Sequence, residues 1–159
     1  MLKKLLRKFT GWLESQAGIP DLRALNRAAP LLINTFDIDG VIFINHELRG
    51  VYPGPVDLII TGRSFEEAPE TYAMLRARGI YNKVYFNQLP FHEKTRISSG
   101  RHKAHTLNLL MSMGVRIGCH FEDDPIQVSE ILSNTKGINV VRLQHELTEL
   151  ENTRHNQDH

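Results

Sequence analysis

Residues 31–42 read LLINTFDIDGVI, and this stretch decides the fold. The apolar run Leu31–Ile33 predicts a short buried strand. Two acids, Asp37 and Asp39, follow one residue apart, and Gly40 comes directly after them. Neighbouring carboxylates repel each other, so keeping both ionised requires a cation or a shared proton. The alternative is an ordinary turn at the end of the strand, because Asp and Gly are common turn residues.

Strand-like and helix-like patterns alternate along the rest of the chain. Further strands are predicted over Val56–Ile60, Lys83–Phe86, Val115–Phe121 and Ile138–Leu143. Helices are predicted from Ser64 to Arg78, from His102 to Met113 and from Pro125 to Asn134, with a polar loop over Asn87–Gly100. This alternation predicts an α/β fold with a central, mostly parallel sheet of about five strands. We expect a Rossmann-like three-layer sandwich.

Little sequence separates the first two strands. Residues 43–52 alternate in polarity and are followed by Pro53-Gly54-Pro55, a pattern that predicts a short hairpin or flap. No cap domain fits there, so we expect an open site.

The two ends of the chain differ from the core at residues 31–143. Residues 2–15 predict an amphipathic helix with a basic face and an apolar face. The apolar face comprises Leu2, Leu5, Leu6, Phe9, Trp12 and Leu13. We expect the segment 1–30 to pack on the core, with contact to a partner, a second copy or a membrane as the alternative. Residues 144–159 are a polar tail.

Composition excludes several classes of protein. The formal net charge of +1 argues against a general polyanion-binding surface. A single cysteine, Cys119, cannot form an intrachain disulfide, and this favours a cytoplasmic location. No apolar run approaches the ~20 residues of a transmembrane helix.

Several polar residues fall where the predicted strands end, the edge at which parallel sheets bind ligands. They occur in the segments Asp37-Ile38-Asp39-Gly40, Ile60-Thr61-Gly62-Arg63 and Phe121-Glu122-Asp123-Asp124-Pro125, with Lys103 on a helix between the last two. In this order the segments resemble the four motifs of the haloacid dehalogenase-like (HAD) superfamily of phosphohydrolases. The resemblance spans roughly residues 31–143 and is to the capless type, with some likeness to polynucleotide 3′-phosphatase domains.

The resemblance implies a role for each residue. Asp37 would be the nucleophile, forming an aspartyl-phosphate. Asp39 would protonate the leaving oxygen and then deprotonate the attacking water. Thr61 and Gly62 would bind the phosphoryl oxygens, and Lys103 would neutralise charge and hold Asp37. The alternative for Lys103 is a solvated basic loop, because other basic residues lie nearby.

The resemblance also implies Mg²⁺, a hard cation that prefers oxygen ligands. Its protein ligands would be the Asp37 carboxylate, the Asp39 main-chain carbonyl and Asp123. In that arrangement Asp124 caps the helix beginning at Pro125. In the family's Asp-Asp version of the motif, Asp124 would instead be the ligand. Glu122 is expected behind the ligands or exposed.

These observations predict a Mg²⁺-dependent phosphatase acting on a small phosphate monoester or a nucleic-acid end. The basic stretch Lys94–Lys103 would then follow a phosphate backbone. Three nearby histidines, at positions 92, 102 and 105, are expected at the surface. The alternative function is a non-catalytic HAD-fold binding or scaffold domain anchored through the N-terminal helix.

Overall fold

In a computed structural model, residues 31–44 and 49–144 are described, and they form one five-stranded sheet. The strands are β1 (Leu32–Phe36), β2 (Leu58–Ser64), β3 (Val84–Asn87), β4 (Arg116–Glu122) and β5 (Val140–Arg142). They lie in the order β3-β2-β1-β4-β5, and every neighbouring pair is parallel. The expected α/β fold with a central parallel sheet is confirmed. The predicted N-terminal helix and nearly all of the C-terminal tail lie outside the described residues.

Three α-helices in this part of the chain connect the strands: α1 (Ala68–Arg76), α2 (Arg96–Ser112) and α3 (Pro125–Asn134). Short 3-10 turns at Phe65–Glu67 and Phe91–Glu93 follow β2 and β3. Ser64 and Glu67 form a capping box at the first turn. Gly79 and Gly114 end α1 and α2, at φ of 73° and 88°.

The start of α2 was predicted wrongly. The helix begins at Arg96 rather than His102, and the predicted loop is correspondingly shorter. Thr95 and Ser98 form a reciprocal capping box, which satisfies two backbone donors at the new start. Gly100 is buried, and a Cβ there would lie 2.7 Å from a side chain of α3. Close helix packing therefore keeps a weak helix former inside α2.

The end of β2 also differs from the prediction. Its ladder continues past Ile60 to Ser64, which pairs with Asn87 of β3 after a register shift. Pairing with β3 therefore extends β2 through Gly62 and Arg63, residues that resemble a turn when read alone.

The strand order reverses beside β1, since the chain adds β2 and β3 on one side and β4 and β5 on the other. A crevice at such a switch point is the usual ligand site of an open parallel sheet. Phe36 and Phe121 stack with ring centroids 4.5 Å apart, which holds β1 against β4. None of the helices described is long and apolar enough to span a membrane.

Candidate active site

Two acids meet where β1 and β4 end. Thr35 and Phe36 pair with His120 and Phe121, so Asp37 and Glu122 emerge beside each other. The Asp37 backbone N–H donates to the Phe121 carbonyl at 3.0 Å, which continues the ladder to the edge of the site. The side-chain alternation of β-strands then directs both carboxylates to one face.

Lys103 joins these two acids from the middle of α2. Its Nζ lies 2.7 Å from Asp37 Oδ2 and 2.5 Å from Glu122 Oε2, and all three side chains are buried. Lys103 itself is fully buried, so the alternative of a solvated basic residue is wrong. Its expected position at the start of a helix is also wrong, because α2 begins at Arg96.

Glu122 is fully buried, so of its two expected positions, behind the ligands or exposed, the exposed one is wrong. Its Oε1 accepts hydrogen bonds from the backbone N–H groups of Asp123 at 3.0 Å and Asp124 at 3.2 Å. Its Oε2 accepts a hydrogen bond from the ammonium group of Lys103. Glu122 therefore fixes both the lysine and the loop after β4, a role that the motif letters do not show.

A second polar pair lies behind Glu122. The imidazole Nδ1 of His120 is hydrogen-bonded to Thr35 Oγ1 at 2.8 Å, and His120 Nε2 lies 3.5 Å from Glu122 Oε2. Burial lowers the pKa of His120, which favours the neutral ring. The sequence prediction missed this pair. Its signal was the strand period, which places Thr35 and His120 two residues before the acids.

Asp123 completes a cluster of three acids. Oxygen atoms of Asp37, Glu122 and Asp123 all lie within 4.8 Å of one another. Gly40 makes room for this arrangement, since a Cβ there would lie 2.0 Å from Asp123 Oδ2. Gly40 also has φ of 74°, which L side chains rarely adopt. Glycine is therefore favoured at position 40 both by the backbone conformation and by the space that Asp123 occupies.

The electrostatics of the cluster are unbalanced. Burial, with the charge of Glu122, raises the pKa of Asp37 to about 7 even though Lys103 opposes the shift. Burial and the Asp37 charge raise the pKa of Asp123 to about 8. Burial alone would also raise the pKa of Glu122, but Lys103 and His120 together outweigh it and the net direction is down. Below these pKa values Asp37 and Asp123 therefore keep their protons, unless a bound cation takes the place of the protons.

The residues fit a hard divalent cation. Asp37 Oδ1 is buried and has no hydrogen-bond partner among the described residues. A buried carboxylate oxygen left without a donor is costly unless something else binds it. An oxygen-only donor set is the kind that Mg²⁺ prefers. Mg²⁺ itself stays a prediction.

Asp124 has a different set of partners. It caps α3 by accepting from the backbone N–H groups of Ile126 and Gln127 at 2.8 and 3.2 Å. Both of its oxygens also accept from Arg96, at 2.6 and 2.8 Å. The predicted capping role is confirmed. These contacts favour Asp123 over Asp124 as the metal ligand.

Asp39 forms a bidentate ion pair with Arg63, which the sequence did not predict. Arg63 donates to its two oxygens from Nε at 2.8 Å and from one terminal nitrogen at 2.6 Å. The other terminal nitrogen of Arg63 donates to Thr71 at 3.3 Å. The Asp39 side chain is 60% exposed, so it stands at the solvent side of the buried acids.

Thr61 and Gly62 support the site from β2. Thr61 is fully buried, and its Oγ1 accepts from the Arg63 backbone N–H at 3.2 Å. A Cβ on Gly62 would lie 2.9 Å from Ser99 Cβ, so this glycine lets α2 approach β2. Among the described hydrogen bonds, none joins Thr61 to the acid cluster. Its predicted contact with phosphate stays a prediction.

The basic stretch Lys94–Lys103 is matched by acids of the same chain. Besides Lys103, the ion pairs are Lys94 with Glu67, Arg96 with Asp124 and Arg101 with Glu130. Their charge is therefore paired within the fold, which weakens the reason for expecting a phosphate-backbone track here, and that track stays a prediction. The neighbouring histidines at positions 92 and 105 are exposed as expected. His102 is not, and burial lowers its pKa to about 4.

Comparison of the chain with protein-family models, curated proteins and solved structures gives no match.

Proposed function

We propose that the chain is a Mg²⁺-dependent phosphatase of the HAD-like type that hydrolyses a phosphate monoester through Asp37. The observation that carries this proposal is the state of the Asp37 carboxylate. Lys103 holds Oδ2 at 2.7 Å, while Oδ1 is buried without a hydrogen-bond partner in the described chain. One oxygen is thus anchored and the other is available to a cation or an electrophile.

The reaction divides hydrolysis into two displacements. An Asp37 oxygen attacks phosphorus, the bond from phosphorus to the ester oxygen breaks, and Asp39 gives that oxygen a proton. Asp39 then takes a proton from water, whose oxygen attacks phosphorus and releases phosphate and the Asp37 carboxylate. The side chain of Asp39 is 60% exposed and so within reach of solvent, and both of its oxygens accept from Arg63 in this structure.

Mg²⁺ would be held by the carboxylates of Asp37 and Asp123 and the main-chain carbonyl of Asp39. When bound, it supplies positive charge that lets phosphate oxygens approach carboxylates. The chain itself supplies Lys103, whose Nζ lies 2.7 Å from Asp37 Oδ2, and Glu122 keeps that lysine in place.

The layering and the access route belong to the same proposal. We propose a Rossmann-like three-layer sandwich with a short flap after β1. Antiparallel contacts of Gly50 with Ile42 at 3.0 Å and of Val51 with Val41 at 2.8 Å support the flap. Residues 45–48 at its tip lie outside the described part of the chain. A flap of this size leaves the site uncapped.

Hydrolysis of an aryl phosphate tests the proposal. Asp37→Asn keeps the side-chain size but removes the nucleophile, so turnover with Mg²⁺ should fall at least about 10³-fold. Glu70→Gln, at an exposed acid of α1, is the matched control and should retain full activity. Full activity of Asp37→Asn, with contaminating enzyme excluded, would reject the proposal and favour the binding or scaffold alternative.

A further inference from the structure

Two phenylalanines are exposed beside the candidate site. Phe65 is 48% exposed and follows β2 directly, and Phe91 is 61% exposed in the turn after β3. Both turns follow the carboxyl ends of neighbouring parallel strands, so they lie at the edge of the sheet that carries Asp37 and Asp123. This edge is the ligand-binding edge of such a sheet.

Hydrogen bonds connect the two turns to each other. The Phe91 backbone N–H donates to Glu66 Oε2 at 2.9 Å, and Ser64 Oγ donates to the Leu89 carbonyl at 2.8 Å. Lys94 pairs with Glu67 and places its Nζ 4.6 Å from the centroid of the Phe91 ring. The two exposed rings are thus held on turns that are hydrogen-bonded to each other, which is the preorganisation that a binding surface needs.

The aromatic surface consists of Phe65 and Phe91, and Phe65 lies close in sequence to the leaving-group side of the proposed site. Arg63, which holds both oxygens of Asp39, precedes Phe65 by two residues. Asp39 is the group that gives a proton to the leaving oxygen in the proposed reaction. The part of the substrate attached to that oxygen would then extend towards the turn that carries Phe65.

The charges of the neighbouring residues narrow the range of ligands that could bind at the aromatic surface. The Lys and Arg side chains of Lys94–Lys103 pair with acids of the same fold. This stretch therefore has little uncompensated positive charge with which to bind a long polyanion. Exposed rings bind planar aromatic groups by stacking without needing added charge. A small aromatic leaving group suits both observations better than a nucleic-acid chain.

We infer that Phe65 and Phe91 bind the aromatic ring system of a small phosphate monoester, such as the base of a mononucleotide. This inference rests on the proposed phosphatase function. It selects small aromatic monoesters from the two substrate classes that the open site admits.

Steady-state kinetics with matched substrates test the inference. Wild type should show a higher kcat/KM for adenosine 3′- or 5′-monophosphate than for glycerol phosphate. Phe91→Ala and Phe65→Ala should each lower that ratio by about tenfold, the effect of losing one stacking contact. Tyr81→Ala is the control, because Tyr81 is 77% exposed but precedes β3, at the opposite edge of the sheet. It should leave the ratio unchanged.

Other outcomes would overturn the inference. One is an unchanged ratio in both phenylalanine variants. A second is a strong preference for 3′-phosphorylated oligonucleotides over mononucleotides, with steep salt dependence, since this identifies a nucleic-acid chain as the occupant. A third is a dimer in sedimentation that Phe91→Ala dissociates, since this identifies a second copy as the occupant.

Adenosine binding separates this inference from the proposed function. If wild type hydrolyses no phosphate monoester, isothermal titration with adenosine decides the matter alone. Binding that Phe91→Ala weakens about tenfold would support the aromatic site while the phosphatase proposal fails. Absence of adenosine binding in wild type would reject the aromatic site as well.

Discussion

Lys103 Nζ lies between two buried carboxylates, 2.7 Å from Asp37 Oδ2 and 2.5 Å from Glu122 Oε2. One ammonium group thus serves two acids, and Asp123 adds a third acid within the same 4.8 Å cluster. The cluster therefore has more negative than positive charge when every group is ionised. Burial, together with this excess, explains why Asp37 and Asp123 have raised pKa values and why a cation fits.

Lys103→Met should destabilise the protein by about 3–5 kcal/mol, because it leaves Glu122 buried without its cation. The free energy of unfolding from urea titration measures this. Arg101→Met is the matched control on the same helix. The Arg101 side chain is 68% exposed in its pair with Glu130, so its loss should cost only about 0–1 kcal/mol. Equal losses in the two variants would contradict the central position of Lys103.

Gly40→Ala should impair metal binding. Both Gly40 and Gly79 have positive φ, 74° and 73°, so alanine strains either backbone by about 1–2 kcal/mol. A Cβ at Gly40 also meets Asp123, whereas nothing lies within 4 Å of one at Gly79. Calorimetric titration with Mg²⁺ should therefore show weaker binding in Gly40→Ala but not in Gly79→Ala. Equal Mg²⁺ affinities would show that the contact with Asp123 is unimportant.

Arg63→Lys should lower kcat by about tenfold to a hundredfold. Lysine keeps the positive charge, but it cannot form the bidentate ion pair that positions Asp39. The thermal midpoint checks that the variant stays folded. Arg101→Lys changes the same residue type on the surface and should keep wild-type kcat. A wild-type kcat in Arg63→Lys would mean that Asp39 does not need this partner.

Asp123→Asn and Asp124→Asn should differ in kind. Asp123→Asn should abolish most Mg²⁺ binding, since the residue belongs to the acid cluster. Asp124→Asn should keep Mg²⁺ affinity but lose stability by about 1–3 kcal/mol, because its charged hydrogen bonds to Arg96 weaken. Calorimetry and urea titration measure the two effects. The opposite pattern would make Asp124 the ligand.

The metal-free protein should lose stability as pH rises from about 6.5 to 8. The pKa values of Asp37 and Asp123 are raised from 3.8 to about 7 and about 8, so the folded state binds more protons than the unfolded state in this window. Stability therefore falls as those protons leave. Below about pH 6.5 the buried histidines His102 and His120, whose pKa values are lowered, act in the opposite direction and offset the two acids. The lowered pKa of Glu122 acts in the same direction as the histidines, at more acidic pH.

Thermal midpoints measured across this pH range with a chelator test the prediction. Added Mg²⁺ should remove most of the decline, because it replaces the protons that the two acids lose. A midpoint that rises with pH in the chelated protein would contradict the raised pKa values.

Local signals in the sequence were sufficient for several features. The alternation of apolar runs and helical patterns predicted the parallel sheet, since each pattern depends on residues close in sequence. The stops at Gly79 and Gly114 and the cap at Asp124 were likewise predictable from one turn of chain. The order of polar residues at strand ends also indicated Asp37 and Asp123.

Only the tertiary structure decided the partners of those residues. Lys103 and Glu122 are 19 residues apart, Asp39 and Arg63 are 24 apart, and no local spacing relates them. Packing of α2 against α3 turned a predicted loop around Gly100 into helix. By itself, the sequence determined which side chains stand at the ends of the strands. The packed sheet and helices decided which are buried together, because burial turns separate charges into a coupled cluster.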